Sequence, residues 1–262
     1  MKEHLTDPEV LEGLAQIAVS VVLAAVVVLL AGLRGIASDF RRELVVAFGR
    51  GFAQIMLMGV LVGALFAVPL WWSGVVLVAM MAGAAWISHE RGDTISGAYR
   101  LSFISVGVGS GVVIAAMTWA GAIEPTVRNL LPVGSMIVAS SMKTNSLALE
   151  RFVDEAADHR PQIEALLSLG VEPGVAVERY LERGVRASLI PVVDSLKSLG
   201  WVWIPGMMAG MVLSGANPIY AAEYQFVIMA MIFAAGGLTS LVSSLLAPNA
   251  LFTDAAQLRD FD

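Results

Sequence analysis

The chain has 262 residues, 57% of them hydrophobic and 15% charged, with a formal net charge of −6 and a mean hydropathy of +0.77. Soluble domains average about 45–50% apolar and about 25% charged residues, so this composition excludes an ordinary soluble domain. The lack of cysteine removes disulfide frameworks, thiolate metal sites and cysteine nucleophiles, and the acidic balance argues against nucleic acid.

Apolar runs of roughly 18 or more residues recur, each long enough as a helix to cross a hydrocarbon core of about 30 Å. The expected fold is an all-α integral membrane protein with about seven transmembrane helices. The first ten residues, MKEHLTDPEV, lack the basic region of a cleavable signal peptide, so the first span is expected to be retained. Span 1 covers about residues 14–33, and Arg34, Asp39, Arg41, Arg42 and Glu43 suggest an interfacial elbow after it. Span 2, about residues 44–67, carries Arg50 and Gln54 deep in its first half. Pro69 with Trp71 and Trp72 marks an interfacial turn, because tryptophan favours the headgroup level.

Span 3 is read at about residues 70–87, followed by the polar turn His89-Glu90-Arg91-Gly92-Asp93 and Arg100. Span 4, about residues 101–123, contains Gly107, Gly109 and Gly111, small residues that let a second helix approach closely. Span 5, about residues 130–149, is the least apolar, with Ser135, Ser140, Ser141, Lys143, Thr144 and Asn145. It reads as either spanning or re-entrant.

A polar island separates spans 5 and 6. Thirteen of the 38 charged residues (16 basic, 22 acidic) lie between Glu150 and Arg186. A short helix through Glu164, Ala165 and Leu166 is expected to stop at Gly170, where the chain can turn sharply. A second amphipathic helix begins after Pro173-Gly174, with Val177, Tyr180, Leu181 and Val185 at helical spacing. Residues of about 150–187 thus form a short helical hairpin. Span 6, about residues 188–213, is interrupted by Pro191, Gly200, Pro205, Gly206 and Gly210, and reads as broken or kinked. Gly215-Ala216-Asn217-Pro218 turns the chain into span 7, about residues 224–246, before a short acidic tail ending at Asp262.

Basic residues alternate sharply between loops. One side collects Arg34, Arg41, Arg42, Arg91, Arg100, Arg151, Arg160, Arg179, Arg183, Arg186 and Arg259, the other only Lys2 and Arg128. The positive-inside rule then places the N-terminus outside, the C-terminus in the cytosol and the hairpin in the cytosol. Residues 1–262 read as a single transmembrane domain in a plasma membrane, the inner membrane if the cell is bacterial.

Chemistry-bearing motifs are few. No G-x-x-x-x-G-K-[ST] loop occurs, so any ATP-driven step needs a separate ATPase. The hairpin, with Glu164, Ala165, Leu166 and Gly170, is a surface on which such a subunit could dock; the bland alternative is an ordinary solvated loop. Asp194 and Lys197 share a helix face in span 6, either as a structural ion pair at the membrane mouth or as groups lining a path. Arg50 either snorkels or counters a carboxylate. Met207, Met208 and Met211, with Met136, Met142, Met229 and Met231 nearby, offer soft thioethers suited to Cu(I), or flexible packing. A break at Pro205-Gly206 would expose backbone carbonyls of the kind that form ion sites in transporters. Glu223 is a further proton or cation acceptor at the outer end of span 7. A membrane serine protease lacks a histidine inside the spans, and His89-Glu90 does not continue into H-E-x-x-H because residue 93 is Asp. No enzyme and no cofactor are indicated.

These residues resemble the FetB-type permeases, the membrane subunits of a small ABC transporter family assigned to iron export, to which the plant aluminium-tolerance permeases are similar. The resemblance is carried by Gly134-Ser135-Met136-Ile137, Glu164-Ala165-Leu166-x-x-x-Gly170 and Arg186-Ala187-x-Leu189-Ile190-Pro191. It continues through Asp194-Ser195-x-Lys197-Ser198-x-Gly200, Pro205-Gly206-Met207-Met208-x-Gly210, Gly215-x-x-Pro218 and Tyr224-Gln225, with Gly49-Arg50 and Gln54 earlier. It implies a permease of about seven spans, two copies pairing with two copies of a separate FetA-like ABC ATPase. The hairpin would be the coupling helix, similar to the EAA loop of importers, although Gly170 and Pro191 lie farther apart than the corresponding importer residues. Export of a metal ion, iron, is the implied activity. An organic solute such as a lipid-like molecule or nucleotide sugar is the alternative cargo. A proton-coupled secondary transporter using Asp194, Glu223 or Lys197, and a structural membrane protein, are the other classes.

Overall fold

The computed structural model describes residues 8–33, 38–92, 95, 97–253 and 257–259. Lys2, Arg34, Asp93 and Asp262 lie outside the described residues. Among those described there is no β-strand, only isolated bridges between Leu199 and Trp203 and between Phe252 and Leu258. The chain divides after Ala67 into two compact units. The first holds α1 (Pro8–Leu33) and α2 (Ser38–Phe66). Within α2 the stretch Arg42–Gly63 is long and apolar enough to cross a membrane, and Phe48, Ile55, Leu57 and Val60 are exposed along it. Arg50 is exposed on the same helix.

The second unit holds α3 (Leu70–His89), a 3-10 turn at Glu90–Gly92, α4 (Ala98–Trp119), α5 (Val127–Asp158), α6 (Arg160–Ser168), α7 (Pro173–Ser198), α8 (Gly206–Leu213) and α9 (Pro218–Leu251). Five long helices form a bundle in which α5 and α9 are central: α9 packs on α4, α5 and α7, and α5 also on α3 and α7. The stretches Leu70–Gly92, Ala98–Trp119 and Pro218–Leu251 are each long and apolar enough to span. Apolar side chains such as Val112, Phe226, Phe233 and Leu245 point outward. Inside, small and hydroxylated residues dominate, including Ser102, Ser105, Ser110, Ser141, Thr239, Ser240 and Ser243. Membrane bundles are built this way because lipid is as apolar as leucine, so close backbone approach and van der Waals contact hold helices together. Gly109 is the tightest case: a Cβ there would lie 2.0 Å from Thr239 Oγ1 and 2.8 Å from the Ala235 carbonyl. Gly107 faces open space and Gly111 makes only ordinary contact, so one glycine of the three expected in span 4 seats α4 on α9.

The two ends of this bundle differ in chemistry. At one end stand Trp71, Trp72, Trp119, Trp201, Trp203 and Tyr220, all exposed. At the other lie Arg91, Arg100, Arg151, Arg160, Arg179, Arg183, Arg186 and Arg259, on α4, α6, α7 and the segments around them. Trp86, also exposed, stands at the arginine-rich end against His89; aromatic side chains favour both faces of a membrane, and clustered arginines mark one.

Three sequence expectations change. Span 5 does not stop at Leu149: α5 is one helix of 32 residues, about 48 Å at 1.5 Å per residue. Its polar stretch survives because the bundle buries Ser141, Thr144 and Asn145. Span 6 passes through Pro191 without ending, because α7 runs unbroken from Pro173 to Ser198. The break runs from residue 199 through Pro205, so it begins ahead of the expected Pro205-Gly206 pair and takes in Gly200, and Gly206 opens the short helix α8. Gly200 takes φ 74, a left-handed conformation that suits glycine. Its N–H donates to the Trp203 carbonyl at 3.0 Å, while the Trp203 indole donates to Ser198 Oγ at 3.1 Å, tying the loop to the end of α7.

Candidate functional site

At the arginine-rich end, α6 forms a nine-residue rod held on one side only. Ile163 is fully buried in an apolar cluster with Phe152, Ala176, Val177 and Tyr180, and Leu166, Leu167 and Val171 pack against it. The opposite face, with Glu164, Ala165 and Leu169, is exposed. The rod ends in a Schellman turn: Gly170 at φ 84 donates to the Leu167 carbonyl at 2.9 Å, and Val171 donates to Leu166 at 3.1 Å. The left-handed glycine satisfies carbonyls that the helix leaves free, and the Val171–Leu166 pair completes the apolar contact of that motif. Arg160 Nε donates to Glu164 Oε1 at 2.7 Å, an exposed pair that contributes little to stability. The neighbouring helices are joined by Arg183 to Glu155 at 3.2 Å and by the His159 ring against the Tyr180 ring, centroids 4.6 Å apart.

Of the four residues in the expected docking motif, Glu164 and Ala165 face outward, Leu166 turns inward as an anchor, and Gly170 makes the turn. Leu169 is the residue that sequence reasoning missed. It is 80% exposed at the tip, and its only sequence signal is an apolar side chain next to the terminating glycine.

A half-open cleft of about 610 Å³ lies along the seam of α5, α7 and α9, with Met136, Ala139, Lys143, Pro191 and Trp203 exposed along it. From α5 come Met136, Ala139, Ser140, Lys143, Thr144 and Leu147, one helical stripe. Ser188, Pro191, Val192 and Ser195 line it from α7, Met229 and Ile232 from α9, and Trp203 from the loop that breaks span 6. Lys143 is the one charge in this lining. It precedes Glu150 by about two turns, about 10 Å, and helical side chains lean toward the N-terminus. On α5 that direction runs away from the arginine-rich end, over the turn at Ala139 and Ser140. Lys143 itself is exposed along this open cleft. A lone lysine inside span 5 was visible in the sequence, but its direction was not.

The other candidates separate. Met136 lines the cleft. Ser135 is turned back on its own helix and donates to the Pro132 carbonyl at 2.8 Å. Asp194 and Lys197 pair at 3.7 Å with both side chains mostly exposed, and neither lines the cleft. Pro205 caps α8, with Gly206 as its first residue; Met207, Met208 and Met211 follow on α8, half-buried and outside the cleft lining. Of the methionines noted in the sequence, only Met136 and Met229 line this cleft. No group of three or more His, Asp or Glu side chains placed to hold a metal occurs among the described residues.

Asn145 was noted in the sequence only as a polar residue. It is fully buried, and its amide donates to Ser88 Oγ on α3 at 3.0 Å and to Ser102 Oγ on α4 at 2.9 Å. Ser243 Oγ on α9 donates to its carbonyl oxygen. One side chain thus joins four helices between the cleft and the hairpin. Beside it, Ser188 and Ser240 join α7 to α9 at 2.8 Å.

Comparison with known proteins agrees with a membrane chain of this kind. Residues 14–252 match UPF0014, described as an uncharacterised protein family. The chain is 28% identical over 243 residues to "Probable iron export permease protein FetB" of Escherichia coli, covering 92% of this chain and 93% of that protein. It is 30% identical over 220 residues to "UPF0014 membrane protein YjkA" of Bacillus subtilis, covering 83% and 88%. Against "Protein ALUMINUM SENSITIVE 3" of Arabidopsis thaliana it is 25% identical over 252 residues, covering 95% and 91%. No solved structure matches. The chain belongs to the UPF0014 family of multi-pass membrane proteins.

Proposed function

We propose that this chain is the membrane permease subunit of an ABC transporter, driven by a separate ATPase and exporting a metal ion, iron. The observation that carries the reading is α6: a short rigid helix, anchored by Ile163, Leu166 and Leu167, that offers Glu164, Ala165 and Leu169 outward at the arginine-rich end. A rod held on one face and free on the other can enter a groove on a nucleotide-binding subunit and pass its movement to α5 and α7. The iron assignment rests on the printed name of the Escherichia coli relative. In this reading the arginine-rich end is cytosolic, the helices make seven crossings with the N-terminus outside, and two copies pair. Polar α5 and α7 cross because neighbours cover their hydroxylated faces.

Co-purification with a lone ABC ATPase encoded beside the gene tests the reading. Wild type is expected to hold the ATPase, whereas Leu169→Asp and Glu164→Ala weaken the complex or uncouple its hydrolysis while melting like wild type. A complex indifferent to both changes would sink the docking assignment.

A further inference from the structure

Resting on the permease reading above, we infer that the α5–α7–α9 cleft selects an anionic cargo, one bearing phosphate or carboxylate groups, through the ammonium of Lys143. Lys143 is the one charge in the lining, and no carboxylate or imidazole stands beside it. Among the described residues it has neither an ion-pair nor a hydrogen-bond partner. Asp194, the nearest acidic residue in sequence to the α7 wall, is already engaged by Lys197 at 3.7 Å. The lean of the side chain toward the start of α5 carries the charge into the cleft rather than out to the arginine-rich end.

A bare divalent ion is opposed by this charge. It also finds no hard ligand, because Met136 and Met229 offer thioethers, which suit Cu(I) better than Fe(II). An anion gains a charge-assisted hydrogen bond from the ammonium, with the hydroxyls of Ser140 and Thr144 on the same stripe as further donors. The volume agrees: about 610 Å³ lies within the range of roughly 300–1,000 Å³ that holds organic ligands, far larger than a dehydrated ion. A metal cargo at this site is therefore a chelate of net negative charge.

The test uses the full chain in phosphatidylcholine nanodiscs, with pyrophosphate and citrate as anion probes and anaerobic Fe(II) as the cation probe. Wild type is expected to bind at least one anion. Lys143→Gln should raise its Kd by about tenfold or more, and Lys143→Arg should leave it close to wild type. A second readout needs no variant: the bound anion should shield Lys143, but not the likewise exposed Lys197 outside the cleft, from an amine-acylating reagent scored by mass spectrometry. Absence of anion binding, binding indifferent to Lys143→Gln with no shielding, or Fe(II) binding that strengthens when the charge is removed would each overturn the inference. Displacement of the probes by phosphatidylglycerol in the disc would assign Lys143 to a lipid headgroup and overturn it too. The ATPase complex is scored separately. An intact complex without anion binding sinks this inference alone, whereas anion binding without a complex sinks the permease reading.

Discussion

The arginine-rich end of the five-helix bundle is locked, whereas at the tryptophan-rich end the sector where α7 gives way to α8 is loose, although Leu77, Ile123, Val133 and Ala221 remain buried beside it. At the locked end Phe152, Ile163, Val177 and Leu251 are buried, Asn145 joins four helices, and α6 closes on a Schellman turn. At the loose end α7 stops at Ser198, seven residues form a loop, and the eight-residue α8 has no buried residue. The two ends call for different mechanics. A locked end moves as a body when pushed, and a sector with few buried contacts, such as α8 and the loop before it, opens at low free-energy cost. The cleft with Lys143 lies between them and takes Trp203 of the loose loop into its lining.

Substitutions that attack this contrast should differ in size. The largest effect is expected at Gly184, where an added Cβ would stand 2.3 Å from the Phe152 ring. Gly184→Ala overpacks the locked end and should cost about 3 kcal/mol, the upper part of the usual range. Gly210→Ala on α8 meets nothing within 4 Å and should be neutral or slightly stabilising, since alanine is the better helix former. Melting followed by tryptophan fluorescence in detergent compares the pair, and equal effects would break the contrast. Asn145→Ala comes next: it removes the shared partner of Ser88, Ser102 and Ser243, with an expected loss of about 2 kcal/mol, read from the same melts. Gly170→Ala forces a side chain into left-handed backbone and should cost about 1 kcal/mol, accompanied by faster proteolysis of the hairpin than in Gly174→Ala. Smallest is Ser198→Ala, which frees the Trp203 indole. It should cost no more than about 1 kcal/mol but shift the emission of Trp203, measured with the other tryptophans replaced by phenylalanine.

Much of the architecture was legible because it rests on short-range rules. Runs of apolar residues marked α2, α3, α4 and α9, and Gly170 announced the end of α6. The misreadings all needed a partner element to resolve. Leu149-Glu150 looked like the end of a span because charge follows it, yet α5 continues once α7 packs along it and Arg183 meets Glu155. Pro191 looked like a break, but α7 continues through it, so packing against α5 and α9 offsets the lost backbone donor and the ring's clash with the preceding turn. Gly107, Gly109 and Gly111 looked alike until α9 chose Gly109.

By itself the sequence determined the membrane class, the helical content, the hairpin and the gathering of arginine at one end, since each follows from local hydropathy, backbone preference or charge. Only the tertiary structure decided that Lys143 faces a cleft while Asn145 faces a sealed core, though they are two residues apart. At 100° per residue such neighbours point to different partners, and which surface each one meets is set by the helices packed around α5.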